Sequence, residues 1–178
     1  GVEALRERYG AKVFGPSQKQ EWLPKLDRGL EDGDSFYIGS TKVDVLLTPG
    51  HAVGHLSYVV PEVPALFCGD VVFRVGCGHL LEGTAEELYL SLHRYDALPD
   101  NTLVCAGHEY TRSNVAFALH VDPDNQALKA RAAEVETLLE AGRPTLPVSL
   151  GTERATNPFL RASDVSHFAD LRRQKDTF

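Results

Sequence analysis

Three stretches of the sequence share one local pattern, and this pattern constrains the fold more than any other feature. In each stretch an apolar, strand-like run ends in glycine, and the next residue is histidine or aspartate. The stretches are VLLTPG followed by His51, ALFCG followed by Asp70, and LVCAG followed by His108. Glycine permits a sharp backbone turn where a Cβ atom would clash. If the three strands are neighbours, two imidazoles and one carboxylate converge at one edge of a sheet.

These three side chains have the chemistry of a metal-ligand set. Imidazole nitrogens and a carboxylate suit zinc, and they also suit iron or manganese. Each stretch alone has a simpler interpretation, because a histidine after Pro-Gly is usually a turn residue and an aspartate after glycine is usually a turn or a helix cap. The repetition of the pattern favours a metal site. We therefore expect His51, Asp70 and His108 to act in catalysis as ligands of a metal that activates water.

The remaining histidines have weaker signals. His55 lies four residues after His51, inside the next strand-like run, HLSYVV. We expect it to be structural or to orient the site through a hydrogen bond. His93, His120 and His167 lie in helix-like segments, where positions at the surface or at the edge of the core are the default expectation.

The hydrophobic pattern changes from strands to helices along the chain. Up to about residue 108, short runs rich in Val, Leu, Phe and Tyr lie between Pro and Gly residues, which predicts strands. From residue 109 onward the spacing of apolar residues is mainly helical. The sequence therefore predicts an α+β protein with a β-rich domain over residues 1–108 and a helical domain over residues 109–178.

Individual elements are marked by their ends. An N-terminal helix is predicted to end at Gly10, and the spacing of Thr84 and Glu87 predicts a capping box that opens another helix. Residues 16–35 are rich in Pro, Gly and charge and predict a loop with at most one short turn. Residues 143–159 are rich in Pro and predict an irregular segment.

Charge and cysteine usage exclude some classes of function. The net charge of −7 argues against binding to a nucleic-acid backbone, which needs a broad basic surface. No apolar run approaches the roughly 18 residues of a membrane span, so no membrane partner is expected. Cys68, Cys77 and Cys105 form no C-x-x-C pair, which predicts buried free thiols in a reducing, cytoplasmic compartment. We expect a monomer whose partner is a small-molecule substrate.

Six stretches, taken in order, resemble one known family. They are TPGHAVGHLSYVV, FCGDVVF, GCGHLLEGT, AGHEYTRSNVAFALHVDPDN, NPFLR and LRRQKDTF. The chain resembles glyoxalase II, the hydroxyacylglutathione hydrolases, over nearly its whole length, and HEYT and RRQKD are specific to this branch of its superfamily. The resemblance implies the metallo-β-lactamase fold, an αβ/βα sandwich, followed by a helical domain. It also implies hydrolysis of S-D-lactoylglutathione to glutathione and a 2-hydroxy acid, in methylglyoxal detoxification.

The resemblance implies a binuclear metal site, usually of zinc, with iron and manganese tolerated. His51 and His108 would each bind one metal, and Asp70 would bridge the two. In the family the other ligands come from a T-H-x-H-x-D-H motif, which does not occur in this sequence. We therefore expect the N-terminal part of the fold to be missing and this chain alone to be poorly stable and inactive.

The resemblance also implies a site for the glutathione part of the substrate. Arg172 and Lys175, three residues apart, would bind the glycyl carboxylate, and Tyr110 would offer its hydroxyl. A solvated basic helix end and a half-buried aromatic residue are the simpler interpretations. After GCG the family commonly has a basic residue and then an aromatic residue, whereas this chain has His79 and Leu81. His79 remains a substrate-binding candidate, but the departures predict weaker glutathione binding or a slightly different thiol carrier.

Two other functions remain open. A persulfide dioxygenase-like enzyme with one iron shares the TPGH and GD elements, and the tail ending in RRQKD is the feature that separates it from the hydrolases. A non-catalytic binding remnant is the second alternative, because loss of N-terminal strands would expose sheet edges and core. No G-x-S-x-G motif occurs, so a serine-hydrolase triad is not indicated.

Overall fold

The computed structural model describes residues 1–18 and 20–178, and this part of the chain forms six α-helices and ten β-strands. Two 3-10 segments, Gln20–Trp22 and Arg94–Ala97, accompany them. In chain order the elements are α1 (Val2–Tyr9), β1 (Phe14–Pro16), β2 (Arg28–Leu30), β3 (Ser35–Ile38), β4 (Thr41–Leu47), β5 (Leu56–Val60), β6 (Ala65–Gly69), β7 (Val72–Phe73), β8 (Gly76–Cys77), α2 (Ala85–His93), β9 (Leu103–Ala106), α3 (Thr111–Val121), α4 (Gln126–Glu140), β10 (Val148–Ser149), α5 (Leu150–Thr156) and α6 (Val165–Thr177).

The central sheet has six strands in the order β10-β9-β6-β5-β4-β3. Neighbouring strands are antiparallel except β6 and β9, which pair in parallel. Because β5 runs antiparallel to both β4 and β6, the strands β4, β6 and β9 all point the same way. Their carboxyl ends therefore lie at one edge of the sheet.

One face of this sheet is covered by helices α2, α3, α5 and α6. The core on this face includes Leu66 and Val104 from the strands and Phe117, Phe159 and Phe168 from the helical part. Ring contacts connect the aromatic members, with Phe159 centred 5.9 Å from Phe117 and 5.7 Å from Phe168. Burial of each such ring typically stabilises a fold by about 1.5–3 kcal/mol. The segments on either side of position 108 thus share one core.

The opposite face of the sheet carries two smaller apolar clusters. One is centred on Leu30, Val45 and Leu56, and the other on Val43, Val60 and Ala65. Farther along the same face the side chains of β6 and β9 are open, with Phe67 49% and Leu103 42% exposed. The sheet is therefore well packed on its helical face and only partly covered on the other.

The short hairpin formed by β7 and β8 has an unusual backbone conformation at its turn. Val75 adopts a φ of 57°, in the left-handed region that β-branched residues rarely enter. Its backbone N–H donates to Glu153 Oε2 at 2.8 Å, and Asn157 Nδ2 donates to the carbonyl oxygen of Gly76 at 2.9 Å. Asn114 Nδ2 donates to the carbonyl oxygen of Arg74, also in this turn, at 3.2 Å. Side chains from the helical part therefore hold the turn in place.

Glu153 is the anchor of this arrangement. It is fully buried, and its second oxygen lies 3.4 Å from an amino group of buried Arg131. Burial raises the pKa of Glu153, while the Val75 amide, Asn157 and Arg131 act in the opposite direction. The carboxylate thus joins α4 and α5 to the hairpin.

Most elements agree with the sequence predictions, and the α+β class is confirmed. Gly10 ends α1 with a φ of 62°, and Thr84 and Glu87 form the expected capping box. Two predictions were wrong in part. Residues 16–35 contain β2, which has three residues and is too short to show an alternating pattern. Residues 143–159 contain β10 and α5, and the buried stripe of α5 was hidden because its middle position is the charged Glu153.

All three cysteines are free, as predicted, but they differ in burial. Cys68 and Cys77 are buried, and burial raises the pKa of each thiol to about 12. Cys105 is only half-buried, and partial burial raises its pKa as well. No helix in the described residues is both long enough and apolar enough to cross a membrane.

We expect one cysteine to react much faster than the other two with DTNB in the native protein at about pH 8. The thiolate is the attacking species. Cys105 is the partly exposed cysteine, whereas burial of Cys68 and Cys77 blocks access to their thiols and raises the pKa of each to about 12. Unfolding in guanidinium should release all three thiols. A Cys105→Ala variant should lose the fast phase, whereas Cys77→Ala should keep it. Two or more fast thiols in the native protein would contradict the described packing.

We expect Glu153→Ala to lower the free energy of unfolding by about 3–5 kcal/mol, because it leaves a buried guanidinium and a buried backbone amide without their partner. The measurement is urea denaturation. The matched control is Glu136→Ala, whose partner Arg112 is on an exposed helix face and whose loss should change stability by less than about 0.5 kcal/mol. Equal effects of the two substitutions would show that the clamp on the hairpin is unimportant.

Candidate functional site

The three residues that follow the strand–glycine pattern lie together. Asp70 Oδ2 is 3.4 Å from His51 Nε2 and 3.3 Å from His108 Nε2. They meet because β4, β6 and β9 end at the same edge of the sheet. The expected convergence of two imidazoles and one carboxylate is therefore found.

The ring of His51 is oriented by the loop that contains His79. His51 Nδ1 lies 2.9 Å from the carbonyl oxygen of His79. Since a carbonyl can only accept, Nδ1 carries a proton, and the other ring nitrogen, Nε2, is the one that faces Asp70. Nε2 and the Asp70 carboxylate oxygen, 3.4 Å apart, are both donor atoms of kinds that metal ions take in proteins. The donor set therefore fits a metal ion.

His51, Asp70 and His108 form only part of a metal-ligand set. By geometry alone, no group of three or more His, Cys, Asp and Glu side chains within residues 1–18 and 20–178 is arranged to hold a metal ion. His51 and His108 each approach the same carboxylate oxygen of Asp70. These three residues supply donors of suitable chemistry, and their role as metal ligands stays a prediction.

The glycines of the pattern serve two different purposes. Gly50 and Gly69 have φ values of 119° and 50°, which favour glycine, as expected for sharp turns. Gly107 has no such conformation, but a Cβ atom there would lie well inside van der Waals contact with the Asp70 carboxylate. A Cβ on Gly69 would also lie 2.7 Å from His55 Nε2. Lack of a side chain thus gives Asp70 and His55 their space.

His55 lies next to Asp70 and is partly buried. Its Nε2 accepts a hydrogen bond from the Asp70 backbone N–H at 3.3 Å. Burial lowers the pKa of His55, with a further contribution from His51, and both favour the neutral ring. This contact is of the kind expected for a residue that orients the site.

A cavity of about 240 Å³ adjoins this cluster. All four substrate-binding candidates from the sequence line it, together with residues that the sequence did not single out. The lining residues are Phe73, Cys77, His79, Tyr110, Ser113, Asn114, Arg172, Lys175 and Phe178.

Tyr110 joins the cavity to the cluster around Asp70. Its ring stacks on that of His108 with centroids 5.1 Å apart and planes inclined by 16°. Phe73 meets Tyr110 edge-on at 5.2 Å and also faces His108. A ligand in the cavity would therefore contact Tyr110, whose ring lies against the imidazole of His108.

Arg172 is buried and is used inside the fold. Its guanidinium donates to the Cys77 carbonyl oxygen at 3.1 Å and pairs with Asp176 at 2.8 Å. The contact with Cys77 joins α6 to β8, the second strand of the hairpin, beside the cavity. Direct binding of a substrate carboxylate by Arg172 stays a prediction.

Lys175 is the more accessible of the two cations. Its Nζ donates to Ser113 Oγ at 2.7 Å and lies 5.4 Å from the ring centre of Phe117. Partial burial lowers the pKa of Lys175, and the neighbouring charge of Arg172 lowers it further. A bound carboxylate would offset both effects.

The two departures from the family pattern differ in position. His79 is at the mouth of the cavity, where its Nδ1 lies 2.9 Å from Asp176 Oδ1. Leu81 is exposed and does not line the cavity. Asp176 was not predicted as a site residue, although its spacing of four residues from Arg172 is the helical signal for an ion pair.

Comparison with known families divides the chain into two matches. Residues 1–108 match the metallo-beta-lactamase superfamily, and residues 109–178 match the family described as hydroxyacylglutathione hydrolase C-terminus. Among solved structures, ETHE1 from Myxococcus xanthus superposes with a TM-score of 0.70 at 27% identity, over 96% of this chain and 61% of that one. The di-iron-bound form of TTHA1623 superposes with a TM-score of 0.57 at 25% identity, over 89% and 69%.

Curated relatives are more similar still. The hydroxyacylglutathione hydrolase of Brucella anthropi is 46% identical over 192 residues, covering 100% of this chain and 74% of the relative. The protein of the same name from Acidiphilium cryptum is 48% identical over 178 residues, covering 100% of this chain and 73% of the relative. The chain therefore belongs to the hydroxyacylglutathione hydrolase family of the metallo-β-lactamase superfamily.

Proposed function

We propose that this protein hydrolyses the thioester bond of S-2-hydroxyacylglutathiones, above all S-D-lactoylglutathione, and so contributes to methylglyoxal detoxification. The products are glutathione and a 2-hydroxy acid. The observation that carries the proposal is the stack of Tyr110 on His108 at 5.1 Å, which joins a cavity for the thiol carrier to the cluster around Asp70. The curated relatives carry the name of this activity.

Membership in the superfamily implies a divalent metal. We propose two such ions, zinc in the first place and iron or manganese as alternatives, with His51 and His108 each on one ion and Asp70 between them. The position of Asp70 Oδ2 within 3.4 Å of both imidazoles supports this assignment. The similarity to TTHA1623, which was solved in a di-iron-bound form, also supports it.

The chemistry of a thioester suits these residues. When bound, divalent metals lower the pKa of a water molecule so that hydroxide is available near neutral pH, and they polarise a carbonyl. The side chains of His51 and His108 hold their nitrogens in fixed orientation, one through the His79 carbonyl and the other through its stack on Tyr110. The leaving thiolate is stable near neutral pH, so the cavity needs no strong general acid.

Recognition of glutathione falls to the cavity. Its carboxylates are anionic, and Lys175 offers a positive charge at the cavity wall, with the charge of Arg172 behind it. Tyr110 offers a hydroxyl, and His79 offers an imidazole that Asp176 holds in place. These contacts support a glutathione thioester as the substrate class.

A persulfide dioxygenase-like iron enzyme is the second candidate, because it shares the TPGH and GD elements of this sequence. The family match over residues 109–178 favours the hydrolase instead.

We propose a reducing, cytoplasmic compartment from the three free thiols and a monomeric protein that acts on a small molecule.

Zinc titration should reveal a site that depends on Asp70. We expect Asp70→Ala to weaken zinc binding by at least about tenfold, because the shared carboxylate oxygen is lost. Competition with a chromophoric chelator measures the affinity. Asp96→Ala is the matched control, since Asp96 also pairs with a histidine, His93, but lies on the surface and should leave the affinity unchanged. Equal affinities of wild type and Asp70→Ala would exclude the proposed ligand set.

Glutathione binding should depend on Lys175. We expect Lys175→Ala to raise the dissociation constant for glutathione about tenfold, equivalent to about 1.4 kcal/mol, in isothermal titration calorimetry. Lys129→Ala, on an exposed face of α4, serves as the control with no expected change. If Lys175→Ala bound glutathione as the wild type does, the cavity would not be the carrier site.

The reaction itself is best tested in a chimera. This chain covers 73% of the Acidiphilium cryptum relative, and the chimera places the part of that relative that precedes its match before Gly1. With zinc, we expect this chimera to release free thiol from S-D-lactoylglutathione and to consume no oxygen with glutathione persulfide. The 178-residue chain alone should show little turnover, because the T-H-x-H-x-D-H motif is not in its sequence. Oxygen uptake without thioester hydrolysis would favour the dioxygenase.

A further inference from the structure

A chain of buried hydrogen bonds runs from the core of the protein to the backbone of Asp70. Tyr95 Oη lies 2.7 Å from Ser57 Oγ, which lies 2.8 Å from Thr48 Oγ1. Thr48 Oγ1 lies 3.2 Å from His55 Nδ1, and His55 Nε2 accepts the Asp70 N–H at 3.3 Å. Thr48, Ser57 and Tyr95 are fully buried.

The direction of these hydrogen bonds follows from the two ends. A backbone N–H can only donate, so His55 Nε2 accepts and Nδ1 of the neutral ring carries the proton. At the other end, the Tyr95 hydroxyl has Ser57 as its hydrogen-bond partner in the described part of the chain. If the phenol donates, Ser57 donates to Thr48, and Thr48 donates to the His55 carbonyl oxygen at 3.5 Å. In this direction each buried donor of the network has an acceptor within it.

The chain fixes both the tautomer and the position of His55. Tyr95 belongs to the largest core cluster, so its hydroxyl is held by tight packing. Gly69 leaves room for the imidazole, because a Cβ atom there would lie 2.7 Å from Nε2. The ring therefore packs against the Gly69 backbone and accepts the Asp70 N–H at the same nitrogen.

We propose that His55 is a positioning residue, held in place by the buried hydroxyls of Thr48, Ser57 and Tyr95. Its hydrogen bond to the Asp70 backbone N–H keeps the Asp70 carboxylate where it contacts both His51 and His108. This inference rests on the proposed role of Asp70 as a metal ligand. If the network only gave buried polar groups their hydrogen-bond partners, it would stabilise the fold and nothing more. A positioning role requires in addition that metal affinity follow the hydrogen bond to the Asp70 amide.

The test compares two substitutions of His55 in the full chain. Gln places an amide oxygen where Nε2 lies and can accept the Asp70 N–H, whereas Leu has similar bulk and no acceptor. We expect His55→Gln to keep zinc affinity within about threefold of wild type and His55→Leu to lose at least about tenfold, in line with other residues that orient metal ligands. Tyr95→Phe should lose about threefold, and Tyr58→Phe, on the opposite sheet face, should lose nothing.

Metal-free protein gives a second measurement. Nitrogen-15 NMR of the imidazoles should show His55 protonated at Nδ1 only, and the Asp70 amide should exchange slowly with solvent in wild type and rapidly in His55→Leu. Thermal unfolding of each variant separates loss of fold from loss of position.

Either of two results would overturn the inference: zinc binding by a folded His55→Leu as tight as that of wild type, or a His55 ring protonated at Nε2. Failure of the proposed function has a different signature, in which Asp70→Ala leaves zinc binding unchanged. The NMR measurements then still decide whether His55 holds the Asp70 backbone.

Discussion

The parallel direction of β4, β6 and β9 is the constraint on which the candidate site depends. It arises because β5 runs back between β4 and β6, while β9 pairs in parallel with β6. Three separate segments of the chain thereby deliver their next residues to one edge. Glycine leaves room for this cluster at two neighbouring positions, because a Cβ atom on Gly107 would clash with the Asp70 carboxylate and one on Gly69 would clash with His55.

The helical part completes the site from the other side. Glu153 and Asn157 hold the strained turn at Val75, and Arg172 binds the backbone that follows it. The hairpin leads directly into the loop whose carbonyl orients His51. The cluster around Asp70 and the neighbouring cavity thus both adjoin a hairpin held by these buried polar contacts, although the residues involved lie far apart in the sequence.

The sequence predicted the parts of the fold that depend on local chemistry. Helix ends at Gly10 and Thr84 and the convergence of His51, Asp70 and His108 follow from turn and capping preferences, and the structure has them. It did not predict α5, because a buried charge at Glu153 interrupts the apolar stripe and is satisfied only by residues distant in the chain. The burial of Arg172 was missed for the same reason, since its partners at Cys77 become neighbours only on folding.

The burial of Arg172 links the carboxyl-terminal helix to the cavity in a thermodynamic sense. The helix cannot fray at this point without breaking the contacts that shape the cavity wall. Any ligand that binds only the closed wall will therefore shift the local opening equilibrium towards the docked helix, by a free energy that grows with ligand concentration. Docking of α6 and binding of a ligand in the cavity are thus thermodynamically coupled, so that each favours the other.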